Sequence, residues 1–398
     1  MKKLMLAASA CALMAGAASA EDVKIGILIG FTGPIESLTG HMANAAEHAM
    51  AEVNASGKAK NTYTSVRGDD TCTDAAAATA AAERAITAEG VKGIIGGDCS
   101  GVTRAMLTNV AMPNGIVMIS PSATSPALTA DPDNGLFFRT APSDAREGEV
   151  MGQILAEKGV KSIALTYSNS DYGKGLAEAI AAGFTAQGGT VTINAAHDDG
   201  KADYSAEVAA LAAAGGDILV VAGYLDQGGK GIIQASLDSG AFTTFGLPGG
   251  MVGDSLPAAI GPALDGSYGQ VAQSDSPGAA LLAEMGKAND PAYDATSPYS
   301  MESYDAAALI MLAMEASGST DSNVYKEKIM EIANGPADGS GVKILPGELG
   351  KALELIAAGT AIDYDGASGV TLIGPGESAG RYKQFEVKGG KYETVQFR

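Results

Sequence analysis

Tryptophan is absent from these 398 residues, and histidine, cysteine and phenylalanine are scarce, at three, three and eight. So few histidines and thiols leave a zinc site almost no ligands. His41, His48 and His197 are scattered, and the cysteines lack ligand spacing. Basic residues are also short, with 26 Lys and Arg against 46 Asp and Glu and a formal net charge of -20. That balance argues against nucleic acid and anionic membrane surfaces as partners. No apolar run reaches the ~20 residues of a membrane-spanning helix. The motifs of common chemistries are missing too. There is no GxxxxGK[ST] phosphate loop and no HExxH. In GGDCSG, Gly96 to Gly101, Asp98 rather than glycine stands two residues before Ser100, so the nucleophile elbow fails. A nucleophilic Cys99 would need a free thiol and a histidine partner, and Cys72 argues against the free thiol. We therefore expect no enzyme, no metal and no cofactor.

What the sequence does hold begins with MKKLMLAASACALMAGAASA. Two lysines, an apolar run and Ala18-Ser19-Ala20 read as a cleaved secretory signal over 1–20, with Glu21 the mature start. A lipoprotein signal at Cys11 is disfavoured, because no leucine stands three residues upstream. Removing the two lysines leaves 24 basic residues against 46 acidic ones. Cys72 and Cys99 are then the only cysteines, and in an exported chain two cysteines are expected to pair.

Short branched runs alternate with helical patterns. Val23–Ile29, Tyr63–Arg67, Val91–Ile95 and Ile116–Ser120 read as strands. His41–Asn54 and Thr73–Ala88 read as helices, the second capped by Thr73. The rhythm restarts after Pro142. Helices are expected over Asp144–Lys158, Tyr172–Gln187, Tyr204–Ala214 and Gln227–Ser239. Strands are expected over Ser162–Tyr167, Thr190–Ala195 and Ile218–Ala222. Later, Ser297–Ala316 and Glu348–Ala358 look helical, and Tyr382–Val387 with Tyr392–Phe397 forms a hairpin. Strand–helix alternation implies right-handed βαβ units on parallel sheets. Two such series imply an α/β chain of two doubly wound lobes.

Ligands of open parallel sheets sit beyond the carboxyl ends of the strands. There lie GFTGP, GGDCSG, SPSATSP, SNSDYGKG and AGYLDQGG. Ser100 opens a helix, where free N–H groups favour an anion. Ser122, Ala123 and Thr124 offer a carbonyl, an N–H and a hydroxyl, a set suited to a zwitterion. Tyr172 and Tyr224 supply flat walls with polar tips. The same residues would also serve simply as a cap, a turn and a rim.

Taken together, KIGILIGFTGP, GDDTC, GGDCSG, ISPSATSPALT, FFRTAPSD, SNSDYGKG and VVAGY resemble the periplasmic leucine/isoleucine/valine-binding family. These are the substrate-binding proteins of ABC importers for branched-chain and other hydrophobic amino acids. The likeness runs from Glu21 to about Met251 and is looser beyond. It implies a type I periplasmic-binding-protein fold with a three-stranded hinge. Lobe 1 would comprise 21–139 and 270–379, and lobe 2 140–269 and 380–398, with crossings near Thr140, Gln270 and Ala379. It implies a disulfide between Cys72 and Cys99 and a carboxylate-binding Ser100. It also implies an acceptor carbonyl on Ser122 with its neighbour Ala123, a two-ended contact from Thr124, and cleft tyrosines Tyr172 and Tyr224. A membrane permease would be the partner and the periplasm the location. One position departs. The family's acidic partner for the ligand ammonium falls on Gly249. Either another acid substitutes, with Asp226 and Glu36 as candidates, or the ligand is an amide, a urea or a small carboxylate. A sensor that signals to a membrane receptor is the alternative role.

Overall fold

The computed structural model describes residues 21–289 and 293–398. The expected signal over 1–20 lies outside the described residues. Among the described residues sixteen strands follow in chain order. They are β1 (Glu21–Ile29), β2 (Asn61–Asp69), β3 (Ile94–Gly96), β4 (Met118–Ser120), β5 (Phe137–Arg139), β6 (Ser162–Ser168), β7 (Thr190–His197) and β8 (Ile218–Ala222). The rest are β9 (Phe245–Leu247), β10 (Tyr268–Ala272), β11 (Val342–Ile344), β12 (Ile362–Tyr364), β13 (Leu372–Ile373), β14 (Glu377–Ser378), β15 (Tyr382–Lys388) and β16 (Lys391–Phe397).

Two main sheets result. The first is parallel in the order β2-β1-β3-β4-β5. The second runs β16-β15-β10-β9-β8-β6-β7, parallel except for the terminal hairpin. β1 is an interior strand paired on both sides, which is why Val23 and Ile25 to Ile29 form a nearly unbroken buried run. Against the first sheet packs the Glu36–Ser56 helix, burying Leu38, Met42, Ala45, Ala46, Ala49, Met50 and Val53 at helical spacing. Beside it the Ser300–Ser317 helix is buried from Ser300 to Glu315, with no solvent-exposed face over that stretch.

Several boundaries differ from the sequence reading. The first helix begins at Glu36 rather than His41, and Gly40 is carried inside it. Asp74, not Thr73, caps the Ala75–Thr87 helix, accepting the N–H groups of Ala76 and Ala77 at 2.9 and 3.1 Å. β5, β9 and β10 were not expected as strands. Nor were the Pro277–Asn289 and Ser322–Asn334 helices.

The chain passes between the sheets three times, after β5, after β10 and after β14. The passages are tied together. Pro142 bridges Ser378, and the Gln273 N–H donates to the Arg381 carbonyl at 3.1 Å. The second passage starts beyond the expected Gln270. Gln270 is paired with Gln384 in the second sheet, and β10 continues to Ala272.

Candidate functional site

The loops that follow β1, β3 and β4 meet at the carboxyl edge of the first sheet. Asp98, buried, ties two of them together, accepting the N–H groups of Gly30 and Cys99, each at 2.7 Å. Gly33 in the first loop has φ +123°, and a Cβ there would meet the Thr71 carbonyl at 2.5 Å, so only glycine fits. Cys72 and Cys99 are disulfide-bonded in the structure with Cα atoms 5.0 Å apart, clamping the β2 loop to the β3 loop. Asp70 lies beside Asp98. Burial pushes both carboxyls up, and the Asp98 charge raises Asp70 further.

Ser100 is the first residue of the Ser100–Met106 helix and is buried. Its Oγ accepts the Ser125 N–H at 3.1 Å, which joins the β3 loop to the β4 loop. Ser122 Oγ donates to the Asp98 carbonyl at 3.0 Å. Ala123 is engaged at both main-chain groups. Its N–H donates to Ser120 Oγ at 2.9 Å and its carbonyl accepts from Arg139 at 3.1 Å. It therefore frames the loop rather than offering a free donor. The Thr124 carbonyl accepts the Asp144 N–H at 2.8 Å. Arg139 organises this whole corner and is fully buried. It holds Glu377 through Nε and a second nitrogen at 2.8 and 2.5 Å, the Ala123 and Ser125 carbonyls at 3.1 and 3.0 Å, and Thr129 Oγ1 at 2.8 Å.

From the second sheet come Tyr172 and Tyr224, stacked with centroids 5.0 Å apart and planes 26° apart. Tyr172 opens the Asp171–Ala186 helix, which Ser170 caps through the Gly173 N–H at 3.1 Å. Its hydroxyl accepts the Gly250 N–H at 3.0 Å. Ser100, Ser122, Tyr172 and Tyr224 thus face one another across the gap between the sheets. They enclose, with Ile35, Leu38, Asp98 and Tyr299, a cavity of about 20 Å³ for a water-sized sphere. That is room for roughly one water, so any organic solute must enter with the halves apart. A larger open groove lined by Arg104 and Asp171 lies on the outer seam, away from these groups.

The two acids expected to replace the one missing at Gly249 are placed elsewhere. Glu36 is exposed and accepts the Gly33 N–H at its own helix start, 3.3 Å away. Asp226 braces the two halves at the rim. Its carboxylate accepts the Ser37 N–H at 3.1 Å and the Ser255 hydroxyl at 2.6 Å, and its own N–H donates to the Pro34 carbonyl at 3.1 Å. A different acid reaches Gly249. Its N–H donates to Glu147 Oε1 at 2.7 Å, and Gln270 Nε2 donates to the same oxygen at 3.3 Å. Burial pushes Glu147 up to about 7. Asp144, one turn earlier, is driven well above the usual carboxylate range by burial and then by the Glu147 charge. Sequence reading missed Glu147, Asp144 and Tyr299. Glu147 and Gly249 are 102 residues apart, and no local pattern joins them.

The chain as a whole is similar to known proteins. Residues 22–334 match the family described as periplasmic binding protein, and this chain belongs to it. The Leu/Ile/Val-binding protein of Escherichia coli K12 is 32% identical over 267 residues, 66% of this chain and 71% of that protein. In fold the chain is similar to a leucine-binding protein from Thermotoga maritima, with TM-score 0.79, 22% identity, and 94% and 98% of the two chains covered. A solute-binding protein of an ABC transporter from Rhodopseudomonas palustris, solved with p-hydroxybenzoic acid, gives TM-score 0.76 at 19% identity, covering 95% and 97%. The fold is thus the type I periplasmic binding fold, two α/β lobes built on the two sheets.

Proposed function

We propose that this protein is the substrate-binding component of an ABC importer and captures a neutral, branched-chain-type amino acid between its lobes. The solute's carboxylate is received by Ser100 with Ser122 and Thr124. Its body lies against Tyr172 and Tyr224. The lobes swing shut about the three passages, and the closed form is presented to a membrane permease. The solute leaves unaltered, and the protein acts after export to the periplasm. One observation carries this reading: hydroxyls from one lobe and stacked tyrosines from the other converge on a single enclosed cavity. Binding energy realised on both walls favours the closed state, because neither wall alone completes the contacts.

A second reading, a small aromatic or aliphatic carboxylate without an amine, is favoured by Gly249 and by the p-hydroxybenzoic acid complex of the Rhodopseudomonas palustris protein. A thermal-shift screen over neutral amino acids, amides and carboxylates tests both. A solute at 100 times its Kd stabilises the folded form by about 2.7 kcal/mol. A rise in Tm with amino acids supports the first reading. A rise with amine-free acids alone supports the second, and no rise with any of them refutes both.

A further inference from the structure

The point where a Gly249 side chain would begin is already claimed. A Cβ there would meet Tyr299 Oη at 2.7 Å and the two Glu147 carboxylate oxygens at 3.4 and 3.6 Å. Glu147 comes from the helix after β5, on a different element from Gly249, and it is 2% exposed. Behind it Asp144 is fully buried, and neither of its oxygens has a hydrogen-bond partner, although the Thr124 hydroxyl and Arg139 are near enough to favour its charge. Arg139 is already committed to Glu377. Asp144 and Glu147 therefore lie side by side, and among the described residues no cation is hydrogen-bonded to either, because the nearby guanidinium is held by Glu377. Both carboxyls also act electrostatically on Tyr172 and Tyr299, the two tyrosines that line the cavity on this side.

We propose that Glu147, backed by Asp144, receives a positively charged nitrogen of the bound solute, so that the anion lost at Gly249 is restored from a different helix. This assignment rests on the cleft reading above and narrows it to solutes that carry an ammonium as well as a carboxylate. Tyr299 immediately precedes the Ser300–Ser317 helix of the first lobe. Its hydroxyl therefore comes from the lobe opposite Gly249, so on closure the solute nitrogen would lie between Glu147 and the Tyr299 hydroxyl. A buried ammonium set against a neutral wall forfeits a charge-assisted hydrogen bond. A solute with the same carbon skeleton and no amine instead leaves Glu147 with the Gly249 N–H and Gln270 but no cation.

The test is calorimetry on the protein as expressed, with L-leucine and L-valine and with their amine-free counterparts isocaproate and isovalerate. The wild type is expected to bind the amino acids at least about tenfold more tightly than the counterparts. Glu147→Gln should weaken the amino acids by about ten- to a hundredfold and leave the counterparts within about twofold. Glutamine keeps the shape and the acceptor for the Gly249 N–H, so an unchanged melt should accompany the loss. If that variant does not fold, the wild-type discrimination still decides. Equal binding of the amine-free acids by the wild type overturns the assignment. So does an unchanged amino-acid affinity in Glu147→Gln while Ser100→Ala lowers it, and both results leave the cleft reading intact. Failure of every probe to bind overturns the cleft reading and this assignment with it.

Discussion

Glu377→Gln removes one charge from the only ion pair among the described residues in which both side chains are almost wholly buried, at 0% and 8% exposure. Arg139 then keeps its charge without its hydrogen-bonded counter-ion, in a place water does not reach. Breaking a buried pair in this way costs about 3–5 kcal/mol, far more than the pair contributes over an apolar replacement. At about 2.1 cal/mol/K of unfolding entropy per residue, a chain of this length unfolds with roughly 0.8 kcal/mol/K. The expected fall in Tm is therefore about 4–6 °C. Burial also keeps mobile ions away, so the fall should be the same at low and high salt. Solute affinity should change much less, within about threefold, because the guanidinium still holds the Ala123 and Ser125 carbonyls. Arg139→Met should reverse the emphasis, weakening binding at least about tenfold as the Ser122–Thr124 loop loses its frame. Scanning calorimetry and isothermal titration on the two variants settle the matter. A Glu377→Gln melt within 1 °C of wild type would show that the desolvation argument is wrong.

Two further perturbations probe other parts of the molecule. Burial, and then the charge of Asp305, pushes the Glu302 carboxyl up to about 8 from an ordinary value of 4.5. Between those values the folded protein retains a proton that the unfolded chain releases, so this group's contribution to stability is full below pH 4.5 and declines as pH rises toward 8. Glu302→Gln should narrow the gap between the melting temperatures at pH 5 and pH 8 by several degrees, and an unchanged gap would mean the carboxyl is ionised throughout. Asp226→Ala removes the brace to Ser37 and Ser255 at the cleft rim. The site is partly exposed, so a loss of about 1 kcal/mol of closure energy is expected, read by titration as a Kd raised roughly fivefold. An unchanged Kd would mean the rim contact carries no closure energy.

The sequence made the architecture legible where runs were long. Val23–Ile29 and the terminal hairpin could be read directly, because an unbroken apolar run and a Gly-Gly turn are local signals. Three-residue strands such as Phe137–Arg139 and Phe245–Leu247 left no period to read, since all their residues are buried. The first helix was read from His41 although it starts at Glu36. The loops carrying Ser100, Ser122, Tyr172 and Tyr224 were found from their position after strands. What no window of sequence shows is which distant side chain fills a gap. Glu147 reads as an ordinary surface acid of an amphipathic helix until β9 and β10 bring Gly249 and Gln270 against it. Tyr299 likewise reaches the cleft only because its φ of +64° turns the chain just before the buried helix.

The tied passages between the sheets decide what kind of movement remains. Separate strands would let one half slide or spin over the other. Here the Pro142–Ser378 bridge and the Gln273–Arg381 bond make a narrow ribbon. Such a ribbon flexes across its thickness and resists shear in its plane. The jaws can gape, but they meet again at the same offset, and the pairing of hydroxyl wall to tyrosine wall is preserved from one cycle to the next.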